Sequence, residues 1–218
     1  MPRFKAFIFD MNGTMVNDMH YHELAWYNVL VNRLNAPLTL EQVKHEMYGT
    51  AAEMFARVFG KGRFSDEEVE AISRQKEATY RAEFLPDLKA INGLENLLER
   101  ARACGIELAI GTAAPKENVD FVLDNLGLRQ YFKAIVGPED VAQSKPHPDV
   151  FLKAASRLGI TPELCLVFED APKGIEAAER AGMQAVGITS YHSAGDLQRK
   201  NVLCTVEDFL GSALEMLF

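Results

Sequence analysis

Cysteine is scarce and unpatterned: Cys104, Cys165 and Cys204 are the only three in 218 residues. Their odd number and wide separation exclude a disulfide framework, and no metal-type spacing is present. Reduced thiols in a cytoplasmic protein are the expectation. No apolar run approaches the roughly 20 residues of a membrane span. Nor does the start, Met1-Pro2-Arg3-Phe4, have the order of a secretory signal. Basic residues are outnumbered, 23 Lys and Arg against 31 Asp and Glu, for a formal net charge of −8. They form no stripe or run, which excludes the electrostatic footprint of a nucleic-acid binder. Low-complexity tracts and internal repeats are also missing. The remainder is an ordinary globular composition, long enough for one domain with an insertion. The expectation is a soluble monomer with no nucleic-acid or membrane partner.

Two textures divide the chain. Residues 17–87 read as helices only. An apolar stripe runs through His22, Ala25, Trp26, Val29 and Leu30, at helical spacing over residues 19–34. Thr39 with Gln42, and Ser65 with Glu68, have the pattern of capping boxes. From about residue 88 the texture becomes strand, helix, strand, helix. Strands are expected at 106–110, 134–136, 165–168 and 185–188. Helices are expected at 116–126, 149–158 and 173–181, each closed by a glycine. The tail from Gln198 to Phe218 is expected to end in a helix. With the opening apolar run Ala6-Phe7-Ile8-Phe9, this predicts an α/β fold with a doubly wound, mainly parallel sheet. The core would comprise residues 1–16 and 88–218. Residues 17–87 would be an inserted helical domain, placed to act as a lid on the C-terminal strand ends.

Those strand ends carry the chemistry. The first gives Asp10, the second Thr112, the loop after the third Lys145, and the fourth Glu169 and Asp170. Taken singly, Asp10 is a turn-forming aspartate and Lys145 a solvated loop lysine. Parallel strands, however, bring these ends together. Three converging carboxylates repel, and a hard divalent cation with oxygen ligands relieves the repulsion; Mg²⁺ is the natural choice. Phosphoryl transfer fits the set. Asp10 is placed to attack phosphorus. Thr112, the backbone N–H of Ala113 and Lys145 are placed to donate to the equatorial oxygens. The helix starting near Pro115 adds positive dipole character, and Lys116 is a further candidate for phosphate contact.

Asp10-Met11-Asn12-Gly13-Thr14, Thr112, Lys145 and Glu169-Asp170 together resemble, in order, the four motifs of the haloacid dehalogenase-like superfamily. Tyr21-His22-Glu23-Leu24-Ala25-Trp26 is similar to a signature of its β-phosphoglucomutase-like branch, and so is the run Glu169 to Ala178. The resemblance covers nearly the whole chain. It implies a Rossmann-like core with a helical cap, and action on a small phosphorylated metabolite, a sugar phosphate first. It implies Mg²⁺ held by Asp10, the backbone carbonyl of Asn12 and Asp170, with Glu169 beside it. It implies substrate contacts at His22 and Gly49 in the cap and at Ala113 and Lys116 in the core.

Two positions depart from the family pattern. Asn12 stands where the family has an Asp that protonates the leaving group and then activates water. An amide has nearly the same shape but cannot exchange protons. General acid–base assistance is typically worth about 10²–10⁴ in rate, or roughly 3–5 kcal/mol. A metal-competent protein with weakened turnover is the physical expectation. In the cap, Tyr48 and Ala52 flank Gly49 where the mutases of this branch carry Lys and Arg for a second phosphate; Arg57 or Lys116 are the available substitutes. Three functions stay open at this stage: a phosphatase, a β-phosphoglucomutase-type isomerase, and a non-catalytic metal- and phosphate-binding protein.

Overall fold

The computed structural model describes residues 3–218. Met1 and Pro2, assigned above to the start of the core, lie outside the described residues. The chain divides into two compact units, one running through Asn17 and again over Leu88–Phe218, the other Asp18–Asp87. No helix among the described residues is long and apolar enough to cross a membrane. Cys104, Cys165 and Cys204 are free thiols.

The first unit holds a six-stranded parallel sheet. Its strands are β1 (Ala6–Phe9), β2 (Glu107–Gly111), β3 (Ala134–Val136), β4 (Cys165–Glu169), β5 (Gln184–Ile188) and β6 (Val202–Val206). Their spatial order is β3-β2-β1-β4-β5-β6, so β1 is central and every ladder is parallel. A central strand buried on both faces must be apolar throughout, and all four residues of β1 are buried. Ala6 and Ile8 face one layer with Ala109, Val167, Phe151 and Ile175. Phe7 and Phe9 meet Phe168 instead, Phe9 stacked with it at 4.5 Å and Phe7 edge-on at 5.3 Å.

The second unit is helical: α1 (Met19–Tyr27), α2 (Leu40–Glu46), α3 (Ala51–Phe59) and α4 (Asp66–Phe84). Its core is Trp26, Val29, Leu30, Val43, Met54, Phe55, Val69 and Ile72. Thr39–Gln42 and Ser65–Glu68 close the two capping boxes expected from sequence, and Thr50–Glu53 closes a third that was not expected. The long first helix differs from expectation. After Tyr27 it widens into a turn with i→i+5 bonding, where the Leu34 N–H donates to the Val29 carbonyl at 3.0 Å.

Four helices complete the sheet-bearing unit: α5 (Leu94–Ala103), α6 (Lys116–Leu126), α7 (Asp149–Leu158) and α8 (Pro172–Arg180). Helix α7 packs on β1, β2 and β3, and α8 on β4 and β5. Two features of the tail depart from the sequence reading. β6 is an additional strand on the sheet edge, and the chain ends in short tight turns over Ser212–Leu217 rather than an α-helix.

Phe151 is fully buried between α7 and the sheet. Replacing it with Ala is expected to lower stability by about 3–5 kcal/mol, read from the chemical-denaturation midpoint. A loss under about 1 kcal/mol would mean that this layer collapses around the void.

Candidate active site

The ladder register builds the site. Phe9 pairs with Ile110 on one side and Phe168 on the other. One step further along, Asp10 comes level with Gly111 and Glu169, and its N–H donates to the Phe168 carbonyl at 2.9 Å. The chain then turns sharply. The Gly13 N–H donates to the Val16 carbonyl at 2.8 Å, and the Met15 N–H to the Met11 carbonyl at 2.8 Å. Asn12, half-buried, bridges to Val16 in that turn. Gly13 adopts φ +75°, and a Cβ there would lie 2.2 Å from Asp170 Oδ2. The turn therefore needs glycine both for its backbone and for the carboxylate beneath it.

Lys145 joins the acidic groups. Its ammonium donates to Asp10 Oδ1 at 2.6 Å and to Glu169 Oε2 at 2.8 Å, and lies 4.8 Å from the centre of the Phe151 ring. Glu169 Oε1 accepts the Ala171 N–H at 3.1 Å, and Asp170 Oδ1 accepts the Thr14 hydroxyl at 3.1 Å. Gly174 makes room for Glu169: a Cβ there would fall 2.0 Å from the Glu169 carboxyl carbon. Among the described residues, carboxylate oxygens of Asp10, Glu169 and Asp170 lie within 4.8 Å of one another, all buried.

The electrostatics are unbalanced. Burial, then the Asp10 charge, pushes the Glu169 carboxyl up to about 7 although Lys145 pulls the other way. Burial, then Glu169 and Asp10, raises Asp170 well above the usual carboxylate range despite the Thr14 hydroxyl. Burial disfavours the charge on Lys145, but Asp10 and Glu169 outweigh it and hold the ammonium above its ordinary value. One ammonium against three carboxylates leaves the cluster short of positive charge, and an all-oxygen donor set of this size fits a hard divalent cation.

Thr112 ends β2, buried, with its N–H on the Val136 carbonyl at 3.0 Å and its hydroxyl oxygen accepting the Ala114 N–H at 3.1 Å. Ala113 is exposed beside it. Lys116 is not drawn into the cluster. Its side chain is 72% exposed and pairs with Asp120 one turn along α6, which in turn binds Arg129 at 2.7 Å.

His22 and Gly49 belong to the helical unit. The His22 ring stacks on Tyr80 at 3.9 Å, with Nδ1 2.6 Å from the Lys76 ammonium and Nε2 3.7 Å from Asp18 Oδ2. Tyr80 donates to Asp18 Oδ2 at 2.5 Å. Burial holds Lys76 below its ordinary value, against the pull of Glu77. Gly49 is exposed at φ +73°, next to the Glu53 carboxylate that caps α3. Arg57, a substitute considered for the second phosphate site, is committed within this unit. It donates to the Glu46 carboxylate at 2.7 Å and to the Glu46 and Tyr48 carbonyls at 2.8 and 2.9 Å, over the Tyr48 ring.

Sequence reasoning overlooked Ser190 and His192. The Ser190 hydroxyl donates to the Gly13 carbonyl, and His192 Nδ1 lies 3.1 Å from the Asp170 carbonyl. Both follow the end of β5, so the rule that selected the other strand ends would have selected them. Asp18, Lys76 and Tyr80 were also overlooked, because no local pattern links residues so far apart in the chain.

The whole is a doubly wound α/β fold with an acidic site at the C-terminal ends of its central strands. Residues 7–188 match the haloacid dehalogenase-like hydrolase family, and the chain belongs to it, within the β-phosphoglucomutase-like branch. It is 32% identical to validoxylamine A 7'-phosphate phosphatase of Streptomyces hygroscopicus subsp. limoneus, over 92% of each chain. It is 32% identical to fructose-1-phosphate phosphatase YqaB of Escherichia coli, over 85% of this chain and 97% of that one. Among solved structures, β-phosphoglucomutase of Clostridium difficile superposes with a TM-score of 0.81 at 26% identity, covering 94% of this chain and 92% of that one.

A chelated sample tests the charge imbalance. A carboxyl raised in the folded state adds stability below its unfolded pKa and loses it as pH rises through the folded value. The thermal midpoint without divalent cation is therefore expected to climb as pH falls from about 7.5 to about 5. A hard divalent cation in excess is expected to compete with the protons and flatten the slope. Scanning calorimetry in chelator that shows the midpoint falling over that range would mean Glu169 and Asp170 are ionised throughout.

Proposed function

We propose that this protein is a Mg²⁺-dependent phosphatase for a small phosphorylated metabolite, a sugar phosphate, working through an aspartyl-phosphate on Asp10. The observation that carries the reading is the buried Asp10–Glu169–Asp170 group with Lys145 bonded to Asp10 and Glu169. The phosphatases and the mutase it resembles support the substrate class. The cation would be held by the Asp10 carboxylate, the Asn12 carbonyl and Asp170, with Glu169 beside them. When bound, it screens the approach of two anions and polarises a phosphate oxygen.

Asp10 sits at a strand end with its backbone fixed, so its carboxylate meets phosphorus without searching. An Asp10 oxygen forms the new bond to phosphorus while the ester P–O bond breaks and the metabolite leaves as its alcohol. Lys145, charged at neutral pH, steadies the nucleophile and the equatorial oxygens. Thr112 and the Ala113 N–H add donors. Water then attacks phosphorus, the Asp10–phosphorus bond breaks, and inorganic phosphate leaves. In both halves a proton must move at the leaving or attacking oxygen. Asn12 cannot carry it, so bulk water must, and turnover is slow. A mutase needs a second anion site. Tyr48, Ala52 and the commitment of Arg57 to Glu46 weigh against one. The reading takes the chain as a cytoplasmic monomer.

Phosphate release over a panel of sugar phosphates tests this. The unaltered chain is expected to be slow and Mg²⁺-dependent, Asp10→Asn inactive, and Asn12→Asp faster by about 10²–10⁴. Silence from both the folded parent and folded Asn12→Asp across the panel would overturn the phosphatase and favour a binding protein. Isomerisation of a hexose 1-phosphate that needs a bisphosphate would restore the mutase.

A further inference from the structure

We propose that Ser190 and His192 form a clasp that sets the spacing between the Asp10–Thr14 turn and Asp170, and thereby the size of the cation site. The inference rests on the cation reading above. The two side chains reach backward from one short segment to two different ligand-bearing loops. The Ser190 hydroxyl takes the Gly13 carbonyl, and the His192 Nδ1–H donates to the Asp170 carbonyl at 3.1 Å. A direct link, Thr14 hydroxyl to Asp170 Oδ1 at 3.1 Å, joins the same two loops. That link fixes a side chain; the clasp fixes both backbones.

A clasp constrains only if it is itself anchored, and this one is held at both ends. On one side the Thr189 N–H and hydroxyl both donate to the Val206 carbonyl, at 2.9 and 3.3 Å, tying the segment to β6. On the other, Ser193 and Asp196 cap one another. The Ser193 N–H and hydroxyl donate to Asp196 Oδ2 at 3.1 and 2.6 Å, and the Asp196 N–H returns to the Ser193 hydroxyl at 3.3 Å. Leu197, fully buried, pins that turn to the sheet. The edge strand β6 thus gains a purpose, since it is the anchor for a segment that spans the site.

A rigid spacing matters most for a small cation. Mg²⁺ requires near-octahedral oxygens at about 2.1 Å, whereas Ca²⁺ accepts longer and less regular distances. Groups that hold metal ligands in place commonly alter affinity by about 10–100-fold when removed. Calorimetric titration of the full chain with Mg²⁺ or Ca²⁺, without substrate, reads this directly. The Ser190→Ala/His192→Ala variant is expected to lose at least about tenfold in Mg²⁺ affinity, with Ca²⁺ affinity little changed, so discrimination between them narrows. Ser190→Thr and His192→Asn keep a donor at each position and are expected to retain the parent's Mg²⁺ affinity. They also serve if the double variant fails to fold: single Ser190→Ala and His192→Ala must then each weaken Mg²⁺ where the donor-keeping change does not. Mg²⁺ and Ca²⁺ affinities unchanged, or reduced equally, in the folded alanine variants would overturn the clasp and leave the phosphatase reading intact. A parent chain that binds neither cation would overturn both.

Discussion

Lys145 sits between Asp10 and Glu169, 2.6 and 2.8 Å away, on the floor of a site from which water is largely excluded. Its single charge cannot compensate three buried carboxylates, and the remaining excess shapes everything around it. Buried like charges at this spacing take up protons or a cation, because the interior does not tolerate them bare. The sheet exists in a form that enforces the crowding. Parallel strands of matched register deliver Asp10 and Glu169 side by side, and the next residue in β4's exit adds Asp170. The fold thereby spends stability on a site that is strained without a partner, which is the usual bargain at functional positions.

Space is allotted to these carboxylates by what is missing around them. Gly13 and Gly174 leave the volumes that Asp170 and Glu169 occupy. In both cases the neighbouring carboxylate is buried and already hydrogen-bonded, Asp170 to Thr14 and Glu169 to Lys145 and the Ala171 N–H, so a methyl group could enter only by displacing those bonds. Phe151 supplies the opposite service by filling the space beneath Lys145, so that the ammonium rests on a ring face rather than in bulk solvent.

Much of this was legible in the sequence, and the reasons differ by residue. Asp10 and Glu169 stand at the ends of apolar runs that could only be buried strands, and the order of elements implied a parallel sheet. Parallel strands share a direction, so their polar ends meet. β6 was legible and was missed. Val202-Leu203-Cys204-Thr205-Val206 is a short apolar run between Arg199-Lys200-Asn201 and Glu207-Asp208, the pattern of a strand, although on the sheet edge it is mostly half-buried. His192 and Ser190 bind backbone carbonyls, and nothing in a side chain's identity says which carbonyl it will find. Lys76 sits in a polar stretch, Arg74-Gln75-Lys76-Glu77, that reads as a solvated face. It is buried because α4 turns that one position toward Trp26 and His22.

The hydrogen bond from Gly13 to Val16 has a bearing on the chemical lifetime of the chain. Asparagine followed by glycine is the dipeptide in which the succeeding backbone nitrogen most readily closes on the side-chain amide, expelling ammonia to give a cyclic imide. Hydrolysis of that ring yields aspartate or its β-linked isomer. Here the attacking nitrogen is engaged with a carbonyl 2.8 Å away, within a turn whose φ is fixed. The folded loop thus shields Asn12 from ageing, while an unfolded chain has no such shield. Prolonged denaturation would convert part of the amide into aspartate and part into its β-linked isomer, and a refolded sample would then be a mixture of three chemically distinct chains.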